Sequence, residues 1–423
     1  MANIRIKCAQ IVQTILEGKV FFGDFKTQIA AKDLPFANML ILTALRNWVG
    51  LNHLLDLFLH KKIPNKHRSA RYLILLAMTE LLFMQTAPYT VINETVKNVR
   101  QATDLFLSRL SNAVLRQIAT QAEEQRKKLA GESHLSEDFT AILSGYDAAT
   151  IKQIDDCITN IPALDLSVKK NPQTWAQKLG AELLPSGSLR LSASVYIPLL
   201  EGYQEGAWWV QDAAAALPVL VLGNVSGKKV ADLCAAPGGK TAQLAAKGAD
   251  ITAIDISADR LKVLQQNMRR IGFEKVHTLC ADAIDFLQNT HEQFDALLLD
   301  APCSATGTFR RHPEVLHLKT IADVQTQALL QRQILDHCAS ALKIGGILVY
   351  SVCSITRTEG EQQIKTFLEQ NKSFRLIPIN TAEISSFGTW NAPLITSEGF
   401  VRTLPFYHGG MDSFFICKMQ RII

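Results

Sequence analysis

The sequence predicts a multidomain chain: an all-α front domain over 1–130, a linker and small α+β module over 131–215, and an α/β domain over 216–423. Three observations predict it. Apolar residues recur at three- and four-residue spacing through the front segments LILTALRNWVGLNHLLDLFL and ARYLILLAMTELLFM, which is the period of a buried helix face. Short mixed runs such as ALDLSVKK and LRLSASVYIP follow a charged stretch at 122–138 that is the best linker candidate. From about 216 onward, strand-like runs alternate with helical stretches: KVADLC, DITAIDI, KVHTLCA, FDALLLD and GGILVYSVC. SFFICKM is a final strand. Such alternation builds a mainly parallel sheet covered by helices.

Length and composition agree. At 423 residues the chain exceeds what one core usually holds, and 48% hydrophobic with 20% charged residues is a globular composition. No apolar run reaches the ~18–20 residues of a membrane span. Tyr72–Met84 carries Glu80 and predicts a buried helix. The first residues show no signal-peptide pattern, so the expectation is a cytoplasmic protein with no membrane contact. Eight cysteines lie scattered without a C-x-x-C pair or Cys/His ligand spacing, which argues against a disulfide framework and a metal site. A monomer is expected. Charge is uneven: residues 1–130 hold 18 Lys+Arg against 9 Asp+Glu, or +9, whereas the remainder holds 26 against 30. A basic front suits a polyanion such as RNA, and equally suits a solvated helical surface.

The chemistry concentrates at the ends of the predicted strands. Val230–Leu233 runs into Cys234, Ala235, Ala236, Pro237, Gly238, Gly239, Lys240 and Thr241, then a helix. Paired glycines between strand and helix let a backbone approach a ligand closely, with helix-end N–H groups aimed at it. The spacing is neither the dinucleotide G-x-G-x-x-G nor the P-loop pattern. The next strand ends in Asp255, 16 residues after Gly239, where an acid can hold two ribose hydroxyls. A third ends near Asp282, which could line an adenine pocket. Each acid alone reads as a turn or cap residue. Together they point to an adenosyl cofactor. The fourth strand delivers Asp300-Ala-Pro-Cys303 and the fifth delivers Cys353, so two thiols and a carboxylate share the edge that carries the glycine loop. Trp208 and Trp209 could stack on bases or fill a core.

Asp-Leu-Cys-Ala-Ala-Pro-Gly-Gly-Lys-Thr, Asp-Ala-Pro-Cys-Ser-Ala-Thr-Gly and Tyr-Ser-Val-Cys-Ser resemble the Sun family of bacterial RNA cytosine-5 methyltransferases. VINETVKNVR and LSNAVLRQI look like the NusB-type helical domain that some members carry. Gln211-Asp212 and the late Arg-Thr-Leu-Pro…His-Gly-Gly-Met-Asp run also match. The resemblance implies a Rossmann-like domain using S-adenosylmethionine, with small-subunit (16S) ribosomal RNA as substrate. Another RNA such as tRNA, or a non-catalytic antitermination role, is the alternative. It assigns Cys353 as nucleophile, Cys303 to product release and Asp300 to the ring N3 edge. Residues 234–240, Asp255, Asp282 and Asp300 become the cofactor site. Arg310 and Arg311, after the Pro-Cys loop, become candidates for RNA phosphates, and Lys240 and Arg310 for a field that ionises a thiol. Two positions depart from the family pattern. Ser167 stands where many members have arginine, and Thr356–Gly360 replaces the usual Pro-Glu-Glu-Asn, although Glu359 and Glu361 remain.

Overall fold

The computed structural model describes residues 3–18, 20–59, 61–192 and 195–423. It divides into two compact units, 1–160 with 309–319, and 161–308 with 320–423. Positions 193 and 194 of the expected segment LRLSASVYIP lie outside the described residues. No helix among the described residues is long and apolar enough to cross a membrane.

The first unit is helical. Its α-helices are α1 (Ile4–Gly18), α2 (Leu34–Arg46), α3 (Trp48–Phe58), α4 (Arg68–Phe83), α5 (Pro88–Ala102), α6 (Leu105–Thr120), α7 (Ala122–Ala130), α8 (Glu137–Ile142) and α9 (Ala148–Asp156). Helix α4 covers the expected buried segment, and Leu73 to Thr79 along it are all buried, as befits a central helix that is apolar nearly all round. Glu80 on the same helix is buried too, and Arg5 neutralises it through two bonds of 2.7 and 2.8 Å. The stretch at 122–138 is not a linker. Residues 122–130 form α7, 131–136 are a non-helical connection, and α8 and α9 follow, where Phe139, Ile142, Leu143, Ile154 and Ile158 supply a further buried face.

This unit also encloses an eleven-residue excursion, 309–319, that leaves the second unit six residues after Cys303. Arg46 donates to the Arg310 carbonyl (2.9 Å), His317 meets the Leu45 carbonyl (2.8 Å), and Phe22 N–H donates to Glu314 (3.2 Å). Phe309 meets Phe139 edge-on, and Leu318 joins the helical core.

The second unit holds two sheets. A small antiparallel one has the order β2-β3-β1-β4, from β1 (Leu164–Val168), β2 (Glu182–Leu183), β3 (Leu189–Leu191) and β4 (Trp208–Val210), with helix α10 (Pro172–Leu179) beside it. Asp165 and Arg190 face each other across β1 and β3 in a buried double bond of 2.7 and 2.8 Å, and Asp165 also accepts from Ala213 N–H. Both tryptophans are core: Trp208 is fully buried and Trp209 nearly so.

The large sheet contains β5 (Lys229–Leu233), β6 (Asp250–Asp255), β7 (His277–Cys280), β8 (Phe294–Asp300), β9 (Leu342–Val352), β10 (Phe374–Leu376), β11 (Val401–Arg402) and β12 (Phe415–Arg421). Its order is β10-β12-β9-β8-β5-β6-β7, with β11 added on β12. Strands β5 to β9 pair in parallel, and β10 to β12 close one side antiparallel. Central strands buried on both faces must be apolar throughout, and Ala296–Leu299 and Leu348–Val349 are. A Leu298→Ala cavity there would cost about 2–5 kcal/mol. Strand order reverses between β5 and β8, so the connections that leave their carboxyl ends run in opposite directions and leave a crevice.

Candidate active site

Five strand ends meet at that crevice. A cleft of about 300 Å³ is lined by Cys234 and Ala236 after β5, Asp255 and Ile256 after β6, Asp282 after β7, Asp300 to Cys303 after β8, and Cys353 after β9. It is therefore assembled from residues spread over 120 positions of sequence.

The glycine loop turns sharply. Cys234 takes φ +60° and Gly238 φ +100° before α12 (Gly239–Ala246) begins. A side chain at Gly238 would meet Leu264 at 2.9 Å in a conformation L residues avoid, so glycine is required there. Burial pushes the Cys234 thiol up to about 12, so it keeps its proton in the cleft wall. Asp255 is buried, and holds the loop through Ala236 N–H (3.1 Å), Ser257 N–H (3.0 Å) and Arg260 (3.3 Å). Asp282 caps α14 (Ala283–Asn289): its Oδ1 accepts from Ile284 and Asp285 N–H at 2.8 and 3.2 Å. Both acids thus have the bland structural role as well as a place in the cleft wall.

Asp300 and Ser351 are register partners on β8 and β9, and Ser351 Oγ donates to Asp300 at 2.9 Å. Lys240, from α12, donates to the other Asp300 oxygen at 2.7 Å. Lys240 is buried, so its charge is matched by Asp300 and does not act alone on the thiols as the sequence suggested. Pro302 ends β8 by removing an N–H, and the chain turns to present Cys303. The sulfurs of Cys303 and Cys353 lie 3.3 Å apart, both half-buried. Cys303 is held well above the usual thiol range, chiefly by its hydrogen bond to Cys353, then by burial and the charges of Cys353 and Glu359.

Gly307 pins the two loops together. Its N–H donates to the Cys353 carbonyl (3.0 Å), and its carbonyl accepts from Ser413 N–H (2.9 Å). Arg402 donates to the carbonyls of Ser354 (2.8 Å) and Thr356 (3.2 Å) and pairs with buried Glu361 (2.6 Å), so the late Arg-Thr-Leu-Pro run braces the Cys353 loop. Sequence reasoning did not assign these roles, nor those of Ser304, Ser354, Gln331 and Glu359, which form a buried polar cluster behind the thiols. The available signal was the serine that follows each cysteine.

Arg310 is a correction. It is only 4% exposed and packed inside the helical unit, so its guanidinium is not presented at the surface to a phosphate. Arg311 is half-buried in the same excursion and His312 is exposed. Ser167, in place of the family arginine, is buried with its hydroxyl unpartnered.

Residues 219–420 match the model of the 16S rRNA methyltransferase RsmB/F family, and residues 3–120 match the NusB family. Ribosomal RNA small subunit methyltransferase B of Salmonella paratyphi C is 31% identical over 401 residues, covering 90% of this chain and 93% of the relative. The chain belongs to the RsmB/F family of rRNA methyltransferases. The Pasteurella multocida relative is 29% identical, covering 100% of this chain and 97% of its own. Among solved structures, PH0851 shares the fold over the whole of both chains (TM-score 0.76, 21% identity). A methyltransferase homolog from Pyrococcus horikoshii covers 68% of this chain and all of its own (TM-score 0.54, 25% identity). The methyltransferase has a NusB-type front and a Rossmann-like catalytic sheet, and its cofactor is S-adenosylmethionine. The cleft fits that cofactor in kind: carboxylates at three strand ends suit ribose hydroxyls and an ammonium, and Ile256, 68% exposed at the β6 end, offers an uncovered apolar face to an adenine.

Proposed function

We propose that this methyltransferase modifies carbon 5 of a cytosine in 16S ribosomal RNA, through a covalent bond between Cys353 and carbon 6. The observation that carries the proposal is the pair of thiols 3.3 Å apart beside Asp300, at the strand ends that also line the cofactor cleft.

Carbon 5 of cytosine is a weak nucleophile within an aromatic ring. When the Cys353 sulfur bonds to carbon 6, the ring double bond shifts its electrons to carbon 5, which becomes enamine-like. S-adenosylmethionine supplies the electrophilic methyl group that carbon 5 then takes. When carbon 5 then gives its proton to solvent, the C5–H electron pair re-forms the C5–C6 double bond, which breaks the S–C6 bond and frees Cys353 as its thiolate. Asp300 faces the N3 edge and stabilises charge there as the sulfur adds. Ser351 and Lys240 fix that carboxylate in place. The two sulfurs are within reach of each other, so either can pass a proton to the other, and the resemblance to the family gives Cys353 the nucleophile's part and Cys303 the part of assisting release. Asp255 and Asp282 face the ribose and adenine, and residues 234–240 bring backbone close to the cofactor. A base inside a helix must leave its stack to reach this cleft, which favours a loop or bulge in the RNA. The +9 charge of residues 1–130 supplies phosphate affinity to the same substrate.

The two single variants test the assignment because they fail in opposite ways. With labelled RNA and S-adenosylmethionine, Cys353→Ala should give neither methylation nor adduct. Cys303→Ala should accumulate an RNA adduct that survives denaturing electrophoresis, and the double variant should show none. An adduct in Cys353→Ala alone would exchange the two roles. Full activity in both singles would end the covalent reading. Bisulfite sequencing of 16S RNA with and without the gene tests the substrate.

A further inference from the structure

The two thiols sit on separate loops, one after β8 and one after β9, 50 positions apart in sequence. Something other than chain connectivity must set their separation. Behind them the residue following each cysteine, Ser304 and Ser354, turns inward and is fully buried. Both reach one carboxylate. Glu359 Oε2 accepts from Ser304 Oγ at 2.5 Å and from Ser354 Oγ at 2.5 Å; its Oε1 accepts from Ser304 N–H at 2.8 Å. Thr356 Oγ1 adds a contact at 3.1 Å, and Gln331 Nε2 donates at 2.9 Å while also holding the Pro302 carbonyl at 3.0 Å. Tyr350 OH binds Gln331 Oε1 (2.9 Å) and the Glu359 carbonyl (2.7 Å), which fixes the segment carrying the carboxylate. That segment, Thr358–Gln362, is a single wide turn bent at Gly360, where a side chain would collide with Arg402.

We propose that Glu359 is the positioning residue of the thiol pair, a buried carboxylate that ties Ser304 to Ser354 and so holds Cys303 and Cys353 within reach of each other. It touches neither cofactor nor base, and its effect passes through the serines. A carboxylate is suited to this because it is acceptor-only, and its two oxygens, with about four lone-pair sites, are shared by the five donor groups that converge on it. Glutamine at this position keeps the length but presents two N–H groups. The amide oxygen can keep Ser304 N–H and Gln331 Nε2, which already share Oε1, and the serine and threonine hydroxyls can reverse to accept, but two N–H groups serve only two of the three hydroxyls that met Oε2. The proposal rests on the roles given above to the two thiols.

A chemical probe reads the separation without relying on methyl transfer. Diamide takes up the two thiol hydrogens and leaves a disulfide, whose formation demands close and aligned sulfurs. In the full-length protein, the Cys303–Cys353 disulfide is followed by peptide mapping, so other thiols do not interfere. Glu359→Ala should close it about 10-fold or more slowly, and Glu359→Gln should fall between that variant and the native protein. On RNA, kcat should fall about 100-fold in Glu359→Ala with KM for RNA and cofactor affinity within about threefold, the split that misplacement of reacting groups produces. If Glu359→Ala does not fold, Ser304→Ala and Ser354→Ala each remove one arm, and each should slow closure. Native closure in folded Glu359→Ala, or in both serine variants, overturns the proposal. If the single cysteine variants prove fully active while closure still depends on Glu359, the positioning role stands and the covalent reading falls.

Discussion

Two buried carboxylates stand behind the two halves of the cleft, and they are built in opposite ways. Asp232, at the root of the glycine loop, is fully buried with one hydrogen bond, from Thr241 Oγ1 at 2.6 Å, and its Oδ1 has no partner. Burial pushes it up to about 7, against 3.8 for an ordinary aspartate. Glu359, behind the thiols, is equally buried but gathers donors from three segments of chain. A lone bond leaves a carboxylate to be neutralised; a full set of donors makes it a fastening. The cofactor half therefore depends on backbone shape, with glycines and a tight turn. The thiol half depends on a polar network that must be complete.

The largest expected effect tests the weaker-held acid. A folded-state value raised above the unfolded one means that the folded protein binds a proton the unfolded chain has lost. Stability from Asp232 is fully present below about 4, and is lost as pH rises toward about 7. Asp232→Asn should remove this slope, so that the native protein loses on the order of a few kcal/mol relative to the variant between those pH values. Denaturant titrations of both proteins across pH 4–8 measure it. Parallel curves would mean that Asp232 is ionised and that the contrast with Glu359 is false.

The second effect sharpens the difference between shape and network. At Gly307 an added methyl would lie 2.0 Å from the Ser413 carbonyl oxygen and 3.0 Å from that of Cys353, both backbone atoms that cannot rotate away. Gly307→Ala should cost about 1–3 kcal/mol, at the upper end of overpacking, and should slow methyl transfer while cofactor affinity holds. Gly238→Ala should do the reverse, since its strain falls on the cofactor loop. Calorimetric titration with S-adenosylmethionine beside a methylation assay separates them. Equal loss of cofactor affinity in both variants would show that the two halves are one mechanical unit.

The same contrast explains what could be read from the sequence. That the 234–240 loop, Cys303 and Cys353 come to one edge of the sheet was legible, because each follows a strand of the predicted parallel sheet; their roles are not read from that position. The buried helix at α4 and the alternation of β5 to β9 followed from periodicity. Glu359 was visible only as a surviving letter of an altered motif, since nothing local says that its partners lie at 304, 331 and 354. Arg310 misled for the converse reason. A charge beside a catalytic loop reads as a ligand for RNA, but residues 309–319 enter the helical unit, and only tertiary structure shows that. The supposed linker at 122–138 failed because a polar surface is also what an exposed helix such as α7 presents, with paired Glu123–Lys127 and Glu124–Lys128.

The smallest effect concerns Asp282, where the cap and the proposed adenine contact can be pulled apart. Its Oδ1 takes both backbone N–H groups of α14, which leaves Oδ2 for the cleft. Asp282→Ala should lose the cap, at about 1 kcal/mol of stability, and should also weaken cofactor binding. Asp282→Asn keeps an oxygen for the cap but turns an N–H donor toward the amino group of adenine, where an acceptor is needed. It should therefore match the native protein in thermal stability, yet bind S-adenosylmethionine about 1 kcal/mol more weakly, as a lost hydrogen bond requires. Native affinity in Asp282→Asn would leave this acid as a cap alone, and would shift recognition of the adenine to the apolar wall at Ile256.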